Sequence, residues 1–301
     1  MPRASVSSDG PHGGSSSAAL AVLVAGALAL SACGDDGGGG SPAPRKLAVE
    51  VVQAGENRFR LSAPRSVEAG LVEITLTSPA GSTSHDAQLV RVEGDHTLDE
   101  VVKTLAVEGA PIPPWMAPAG GVGQTDAGAT GRSVQRVSPG TYHILDTGQP
   151  EGDDVKSYFE TGAVATFKVT GDAAAANLPH ATAKITAREY AFSVRGLTAG
   201  RNEVEFANAG NEPHHVIAMP YREGATLADV KKAFGQQGPP DGPPPVDFEN
   251  LTGSAVLERG TRQVTELQLK RGRYALVCFV SDRRGGPPHV AKGMIAEAVV
   301  R

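Results

Sequence analysis

The sequence contains few aromatic residues, few cysteines and no long block of charge of one sign. Aromatic residues make up 5% of the 301 residues, and only two residues are cysteine. Two cysteines cannot build a disulfide-stabilised framework. The 28 Lys and Arg residues stand against 33 Asp and Glu residues, a formal charge of −5, and they form no basic stripe. Nucleic acid is therefore not an expected partner.

Glycine and proline, in contrast, are abundant, with 37 and 22 residues. This composition is typical of short strands joined by turns, and it argues against a helical or coiled-coil protein. The length allows one large domain or two domains of ordinary size.

The N-terminal region indicates export. Residues 18–32 form an apolar run of small residues that is short for a membrane-spanning helix. The run leads into Leu30-Ser31-Ala32-Cys33 and then a glycine-rich stretch, which resembles the signal of a bacterial lipoprotein, with Cys33 as the lipidated first residue. An ordinary secretory signal that contains a cysteine is the alternative. We predict a signal peptide over 1–32, a flexible tether over 33–45, and lipid anchoring at the extracytoplasmic face of a membrane, periplasmic or at the outer surface.

A lipid on Cys33 would leave Cys278 without an intramolecular disulfide partner. In an oxidising compartment such a thiol is an intermolecular bridge, a buried apolar side chain or a metal ligand.

The chain repeats itself. The segment that starts at His85 aligns without a gap to the segment that starts at His214, at an offset of 129 residues. Each segment is typical of a strand, a turn and a short helix. Thr97 and Thr226 begin these helices, and each has an acidic residue three positions later, which is the spacing of a capping box.

Short alternating stretches between Gly and Pro turns predict further strands in both copies. They cover 46–54, 58–62, 71–77 and 163–170 in the first copy, and 184–188, 191–194, 202–207 and 294–300 in the second. The pattern predicts an all-β protein of two tandem Greek-key β-sandwiches, each with one short helix. We assign the first domain to 46–171, a linker to 172–181 and the second domain to 182–301.

The second copy contains the residues that carry chemistry. A His214-His215 pair precedes a strand in mid-domain, and Cys278, His289 and Met294 follow near the C-terminus. In this order and approximate spacing the segment 182–301 resembles the blue-copper, or cupredoxin, family. The resemblance implies a cupredoxin-like fold and one copper ion per chain, held by His214, Cys278, His289 and Met294. A soft thiolate, two imidazoles and a weak thioether suit both Cu(I) and Cu(II).

The segment also departs from the family pattern. The family usually has Asn after its first His, at the position of His215, so we expect His214 to be the ligand and His215 to support it. The interval between Cys278 and His289 is longer than in small electron carriers, and residues 282–286 look like an insertion at the rim of the site. Taken singly, each of these residues also fits a structural role, such as a polar turn or a buried core side chain.

The first copy has lost the ligand set. His85 matches His214, but Asp146 and Tyr158 stand at the positions of Cys278 and His289. A carboxylate and a phenol cannot make a blue-copper site. We predict a degenerate site in which His85 forms a hydrogen bond with Asp146, and a first domain with a structural or partner-binding role. Another divalent ion held by His85 and Asp146 is the alternative.

The ligand inventory bears on activity. The resemblance to two-domain nitrite reductases and multicopper oxidases would imply further copper ligands, yet no His flanks Cys278 and no His-x-His pair occurs. We therefore predict that the chain is not an enzyme. The sequence favours a membrane-anchored copper protein that exchanges electrons with a redox partner protein. The alternatives are copper handling or delivery without redox turnover, and a metal-free lipoprotein that binds a partner through rim loops such as 238–245 or the segment around Trp115.

Overall fold

The computed structural model of the chain describes residues 43–301 except 151, 153, 154, 174 and 236–241. The expected signal peptide, Cys33 and most of the expected tether lie outside the described residues, so these features stay predictions. Within the described part of the chain, no helix has the length and apolar character needed to cross a bilayer.

The first copy consists of nine strands and one α-helix, with a short 3-10 helix at Tyr158–Thr161. The elements are β1 (Arg45–Gly55), β2 (Arg58–Ser62), β3 (Ser66–Glu68), β4 (Gly70–Thr77), β5 (His85–Val92), α1 (Leu98–Leu105), β6 (Met116–Thr125), β7 (Thr130–Val137), β8 (Gly140–Leu145) and β9 (Val164–Thr170). Along β1, apolar residues alternate with exposed ones, and Leu47, Val49 and Val51 point into the core.

The second copy repeats this order with eight strands and one helix. The elements are β10 (Ala183–Arg188), β11 (Ala191–Arg195), β12 (Gly200–Asn208), β13 (Ile217–Pro220), α2 (Leu227–Gly235), β14 (Thr252–Gly253), β15 (Arg262–Leu269), β16 (Gly272–Val277) and β17 (Ile295–Val300). Both helices begin with the expected capping box. The Thr97 hydroxyl accepts the Glu100 N–H at 3.3 Å, and the Thr226 hydroxyl accepts the Asp229 N–H at 3.3 Å.

Each copy is a sandwich of two sheets around its own apolar core. In the first copy, β2, β1, β4 and β7 face a five-stranded sheet of order β3-β9-β8-β5-β6. In the second, β11, β10, β12 and β15 face a four-stranded sheet of order β14-β13-β16-β17. The prediction of an all-β chain with two tandem sandwiches is confirmed.

The two sandwiches share a sheet, which the sequence did not indicate. Antiparallel pairing of β7 with β15 joins four strands of each copy into one eight-stranded sheet, with Val134 opposite Val264. The buried amide of Gln88 adds a second link, because it accepts from the Val256 N–H at 2.6 Å and donates to the Val256 carbonyl at 3.2 Å. Residues Ser41–Arg301 accordingly group as one compact unit, and the boundaries at 171 and 182 stay a prediction.

Candidate metal centre

Three buried side chains of the second copy converge on one point. The Nδ1 atoms of His214 and His289 lie 3.0 Å apart, and the Cys278 Sγ lies 3.8 Å from the first and 3.4 Å from the second. The point equidistant from the three atoms is about 2.0 Å from each, which is the length of a bond between a transition metal and an imidazole nitrogen. In the described part of the chain, this is the one group of three His, Cys, Asp or Glu side chains placed to share an ion.

Backbone hydrogen bonds hold these side chains in place. Cys278 follows the last residue of β16, and its carbonyl accepts the Val290 N–H at 2.7 Å. The turn at His289 is closed by the Met294 N–H, which donates to the His289 carbonyl at 2.9 Å. On the other side, His214 exchanges two backbone hydrogen bonds with Leu257, at 3.1 and 2.8 Å. Backbone hydrogen bonds thus fix all three positions, at the end of β16, in the turn before β17 and in the bridge to Leu257.

Burial sets the protonation of the three donors. All three side chains are fully buried. Burial lowers the pKa of His214, and burial together with the neighbouring His214 lowers the pKa of His289 to about 4. Both imidazoles are therefore neutral at pH 7 and can offer a lone pair. Burial raises the pKa of the Cys278 thiol to about 12, so metal binding must release its proton.

The outer nitrogen of each imidazole meets a carboxylate. The His214 Nε2 lies 3.3 Å from Glu189 Oε1, and the His289 Nε2 lies 3.0 Å from Asp282 Oδ1. A carboxylate on Nε2 favours the tautomer that carries the proton there, which leaves Nδ1 free to bind a metal. The donor set of two neutral imidazoles and one thiol therefore fits a soft or borderline transition metal, and copper in particular.

His215 and Met294 lie close to this triad in different ways. The His215 Nε2 accepts the Phe279 N–H at 2.9 Å, so the ring of His215 points at the backbone next to Cys278 and not at the convergence point. Burial lowers the pKa of His215 to about 3, which agrees with a neutral acceptor. Met294 is fully buried and packs in the same apolar cluster as Cys278.

The first copy holds a hydrogen-bonded pair at the corresponding place. The His85 Nδ1 lies 2.6 Å from Asp146 Oδ2, and both side chains have no exposed surface. Tyr158 is also fully buried, and its hydroxyl is 2.7 Å from the Thr83 hydroxyl, not from Asp146. The Tyr158 ring lies 5.1 Å from the His85 ring.

Sequence reasoning missed the residues that surround the two imidazoles. Glu189 gave no signal, because nothing in the sequence of the turn between β10 and β11 points to the site. Asp282 lies in the segment that looked like an insertion, and that length anomaly was the available signal. Tyr190 and Lys292 meet Asp282 as well, through the Tyr190 hydroxyl at 2.9 Å and the Lys292 ammonium.

The metal-free alternative names two rim segments, of which the structure describes the one around Trp115 and the second half of 238–245. Trp115 is half-buried and stacks on His96, with ring centroids 3.9 Å apart. Residues 236–241, which include the start of the proline-rich segment, lie outside the described residues.

Comparisons with known proteins find distant similarity to solved structures alone. No family model and no curated protein matches the chain. Among solved structures, a reduced auracyanin from the photosynthetic bacterium Roseiflexus castenholzii is 19% identical, over 39% of this chain and 94% of that chain, with a TM-score of 0.25. A copper nitrite reductase from Nitrosomonas europaea is 17% identical, over 85% of this chain and 93% of that chain, with a TM-score of 0.25. A multicopper oxidase is 12% identical, over 85% of this chain and 88% of that chain, with a TM-score of 0.22.

These matches correct one prediction. The expectation that the chain is not an enzyme is contradicted, because the nitrite reductase and the multicopper oxidase, which match 85% of the chain, are enzymes. The expectation rested on the absence of His-x-His pairs and of a His beside Cys278. A fold that hosts both electron carriers and enzymes does not let that absence exclude catalysis.

The fold itself follows from the strand order and the convergent site. Two sandwiches repeat one topology, and the second brings a His from mid-domain to a Cys and a His near its C-terminus. The chain therefore has the cupredoxin fold in two tandem copies, as the resemblance in the sequence implied.

Proposed function

We propose that the second copy binds one copper ion through His214, Cys278 and His289, and that the thioether of Met294 would be a fourth, weak ligand. The observation that carries this proposal is the convergence of two neutral imidazole nitrogens and one sulfur on a point about 2.0 Å from each. Two imidazoles and a thiolate with a weak thioether are the ligand set of blue-copper electron-transfer sites.

We further propose that the bound copper exchanges single electrons with a partner protein outside the cytoplasm. When bound, copper would supply a one-electron couple between Cu(I) and Cu(II). The chain would hold the donors in one arrangement for both oxidation states, because all three are fully buried and their backbone is tied by hydrogen bonds. Lipid on Cys33 would keep the protein at the membrane surface, in the periplasm or at the outer face of the cell.

The test of copper binding uses residues 42–301, which lack Cys33, with one equivalent of Cu(II). We expect an intense visible band from thiolate-to-copper charge transfer and a matching EPR signal, and we expect Cys278→Ser to lose both. A wild-type protein that stays colourless and binds no copper would refute the proposed site.

Electron transfer needs a separate measurement. A potentiometric titration of the loaded protein is expected to bleach and restore the band reversibly, with copper retained throughout. Bound copper that does not cycle would contradict electron transfer and support copper handling, with the same ligands.

A further inference from the structure

The segment between Cys278 and His289 touches the first copy. We call residues 279–288 the ligand loop and residues 109–116 of the first copy the strap. The Ile112 N–H donates to the Arg283 carbonyl at 2.8 Å, and the Gly286 N–H donates to the Gly109 carbonyl at 3.1 Å. Two backbone hydrogen bonds thus fasten the middle of the ligand loop to the strap.

The side chain of Arg283 adds polar contacts to both copies. Its two terminal nitrogens each donate to the Met116 carbonyl, at 3.3 Å, at the end of the strap. The same guanidinium pairs with Glu258 in the second copy, and the Arg283 N–H donates to Glu212 Oε2 at 2.6 Å. Arg283 is therefore held from both sides, and its backbone position is fixed by charged groups.

Gly285 lies against the strap so closely that no side chain fits. A Cβ at this position would lie 2.5 Å from the Gly109 carbonyl oxygen and 3.2 Å from the Pro111 nitrogen. The φ angle of Gly285 is +82°, which also favours glycine. Backbone meets backbone here, and any larger residue would push the loop away from the first copy.

Asp282, the residue next to Arg283, contacts the imidazole of His289. Asp282 Oδ1 accepts from the His289 Nε2 at 3.0 Å and from the Tyr190 hydroxyl at 2.9 Å, and Lys292 pairs with Oδ2. Asp282 is thus an acceptor, held by three neighbouring side chains, that orients the ring of His289.

We propose that the first copy acts as a clamp on the metal site: the strap holds Arg283 and Gly285, and the ligand loop thereby holds Asp282 on His289. Asp282 is a positioning residue, because it acts on the metal only through the orientation and tautomer of His289. The clamp gives the degenerate first copy a role at a metal site to which it contributes no ligand. The proposal rests on the proposed copper site, and its test separates the two.

Removal of Asp282 is expected to weaken copper binding. Loss of an outer-shell partner of a metal-bound His typically costs about 10- to 100-fold in metal affinity. For Asp282→Ala we expect a loss in this range, measured as copper transfer to a competing chelator, and a changed reduction potential. Asp282→Asn keeps an oxygen that can accept from Nε2, so we expect it to restore part of the affinity.

Loss of the contacts between the strap and the ligand loop should also weaken copper binding. Arg283→Ala and Gly285→Val change neither Asp282 nor any proposed ligand. We nevertheless expect each variant, like Asp282→Ala, to lose copper faster than wild type. Arg284→Ala is the matched control, since Arg284 is the exposed neighbour in the same loop. Because Arg283 acts through Asp282 in this proposal, the double variant should be no weaker in copper binding than Asp282→Ala alone.

Hydrogen exchange of the copper-free protein tests the clamp without the metal. We expect peptides that cover the ligand loop to exchange faster in Arg283→Ala and in Gly285→Val than in wild type or Arg284→Ala. Wild-type exchange and wild-type copper retention in both clamp variants would overturn the proposal. Additive losses in the double variant would overturn it too, because they would show that Arg283 acts independently of Asp282. A wild-type protein that binds no copper would refute the proposed function, while the exchange data would still report on the clamp.

Discussion

The two copies share the backbone around the site and differ in its side chains. In the second copy the Met294 N–H donates to the His289 carbonyl at 2.9 Å, and in the first the Ala163 N–H donates to the Tyr158 carbonyl at the same distance. The Val290 to Cys278 bond at 2.7 Å likewise has its counterpart in the bond from the Phe159 N–H to the Asp146 carbonyl at 2.9 Å. The fold therefore does not need the proposed metal ligands.

The two copies also differ in which imidazole nitrogen is in contact with a carboxylate. In the first copy Asp146 meets the inner nitrogen of His85, Nδ1, and so occupies the atom that would face a metal. In the second copy Glu189 and Asp282 meet the outer nitrogens, and both Nδ1 atoms face Cys278. One scaffold thus gives a closed hydrogen-bonded pair or an open ligand set, according to which imidazole nitrogen the acid contacts.

The largest effect is expected when the second copy receives, at the position of Cys278, the aspartate that the first copy has. We expect Cys278→Asp to lose the charge-transfer band completely, because no thiolate remains. Its copper affinity should fall by more than the roughly 100-fold that loss of an outer-shell partner costs. Visible spectra and chelator competition measure both effects, with Cys278→Ser as the control for loss of sulfur alone. A blue band in Cys278→Asp would contradict the assignment.

A second variant tests whether the first copy needs its buried His85–Asp146 pair. His85→Ala leaves the fully buried Asp146 without its partner, and breaking a buried pair typically costs about 3–5 kcal/mol. We expect a loss of this size in the free energy of unfolding, measured with urea, and an unchanged copper content of one per chain. His180→Ala, at an exposed position, is the control and should change the free energy of unfolding by less than about 0.5 kcal/mol. A fall in bound copper would show that the first copy contributes directly to the metal.

A pH effect should distinguish the copies as well. Burial and the neighbouring Asp146 raise the pKa of Asp86 from 3.8 to about 7. The folded chain therefore binds more protons than the unfolded chain between these values, so this group's stabilisation is full below about pH 4 and is lost as pH rises through 7. At most about 4 kcal/mol is involved, since one pKa unit corresponds to about 1.4 kcal/mol.

Asp86→Asn removes this titration. We expect urea midpoints of the variant to change less between pH 5 and pH 8 than those of wild type, with Asp95→Asn at an exposed position of the same copy as the control. An equal pH dependence in wild type and Asp86→Asn would rule out Asp86 as the source.

The smallest effect should be the same in both copies. Thr97→Ala and Thr226→Ala each remove the hydroxyl that accepts the N–H of the third helical residue, and loss of such a cap typically costs about 1 kcal/mol. We expect similar losses in thermal unfolding, because each Thr hydroxyl accepts an equivalent hydrogen bond at 3.3 Å. A large difference between the two would show that the helices do not contribute equally to their copies.

Much of the fold and part of the site could be predicted from local patterns. Strand alternation, glycine turns and the two capping boxes depend on neighbouring residues, so β1 was expected close to its observed bounds and α1 close to its observed start. The order of His214, Cys278 and His289 indicated a shared site, and the structure brings these three side chains together.

Other features join residues that are far apart in the chain, and no local pattern reports them. The pairing of β7 with β15 links strands 130 residues apart, and the contact of Glu189 with His214 spans 25 positions. The unusual length of the segment between Cys278 and His289 was visible in the sequence. Its contacts could not be predicted, because the strap that it touches lies in the other copy.

Residue identity and spacing were enough to predict the all-β class, the internal repeat, and a first copy without counterparts of Cys278 and His289. Folding, in contrast, sets which nitrogen of each imidazole faces the site, which carboxylates contact the outer nitrogens, and how the first copy reaches the ligand loop. These features depend on hydrogen-bond direction and burial, and both involve groups that come together from distant parts of the chain.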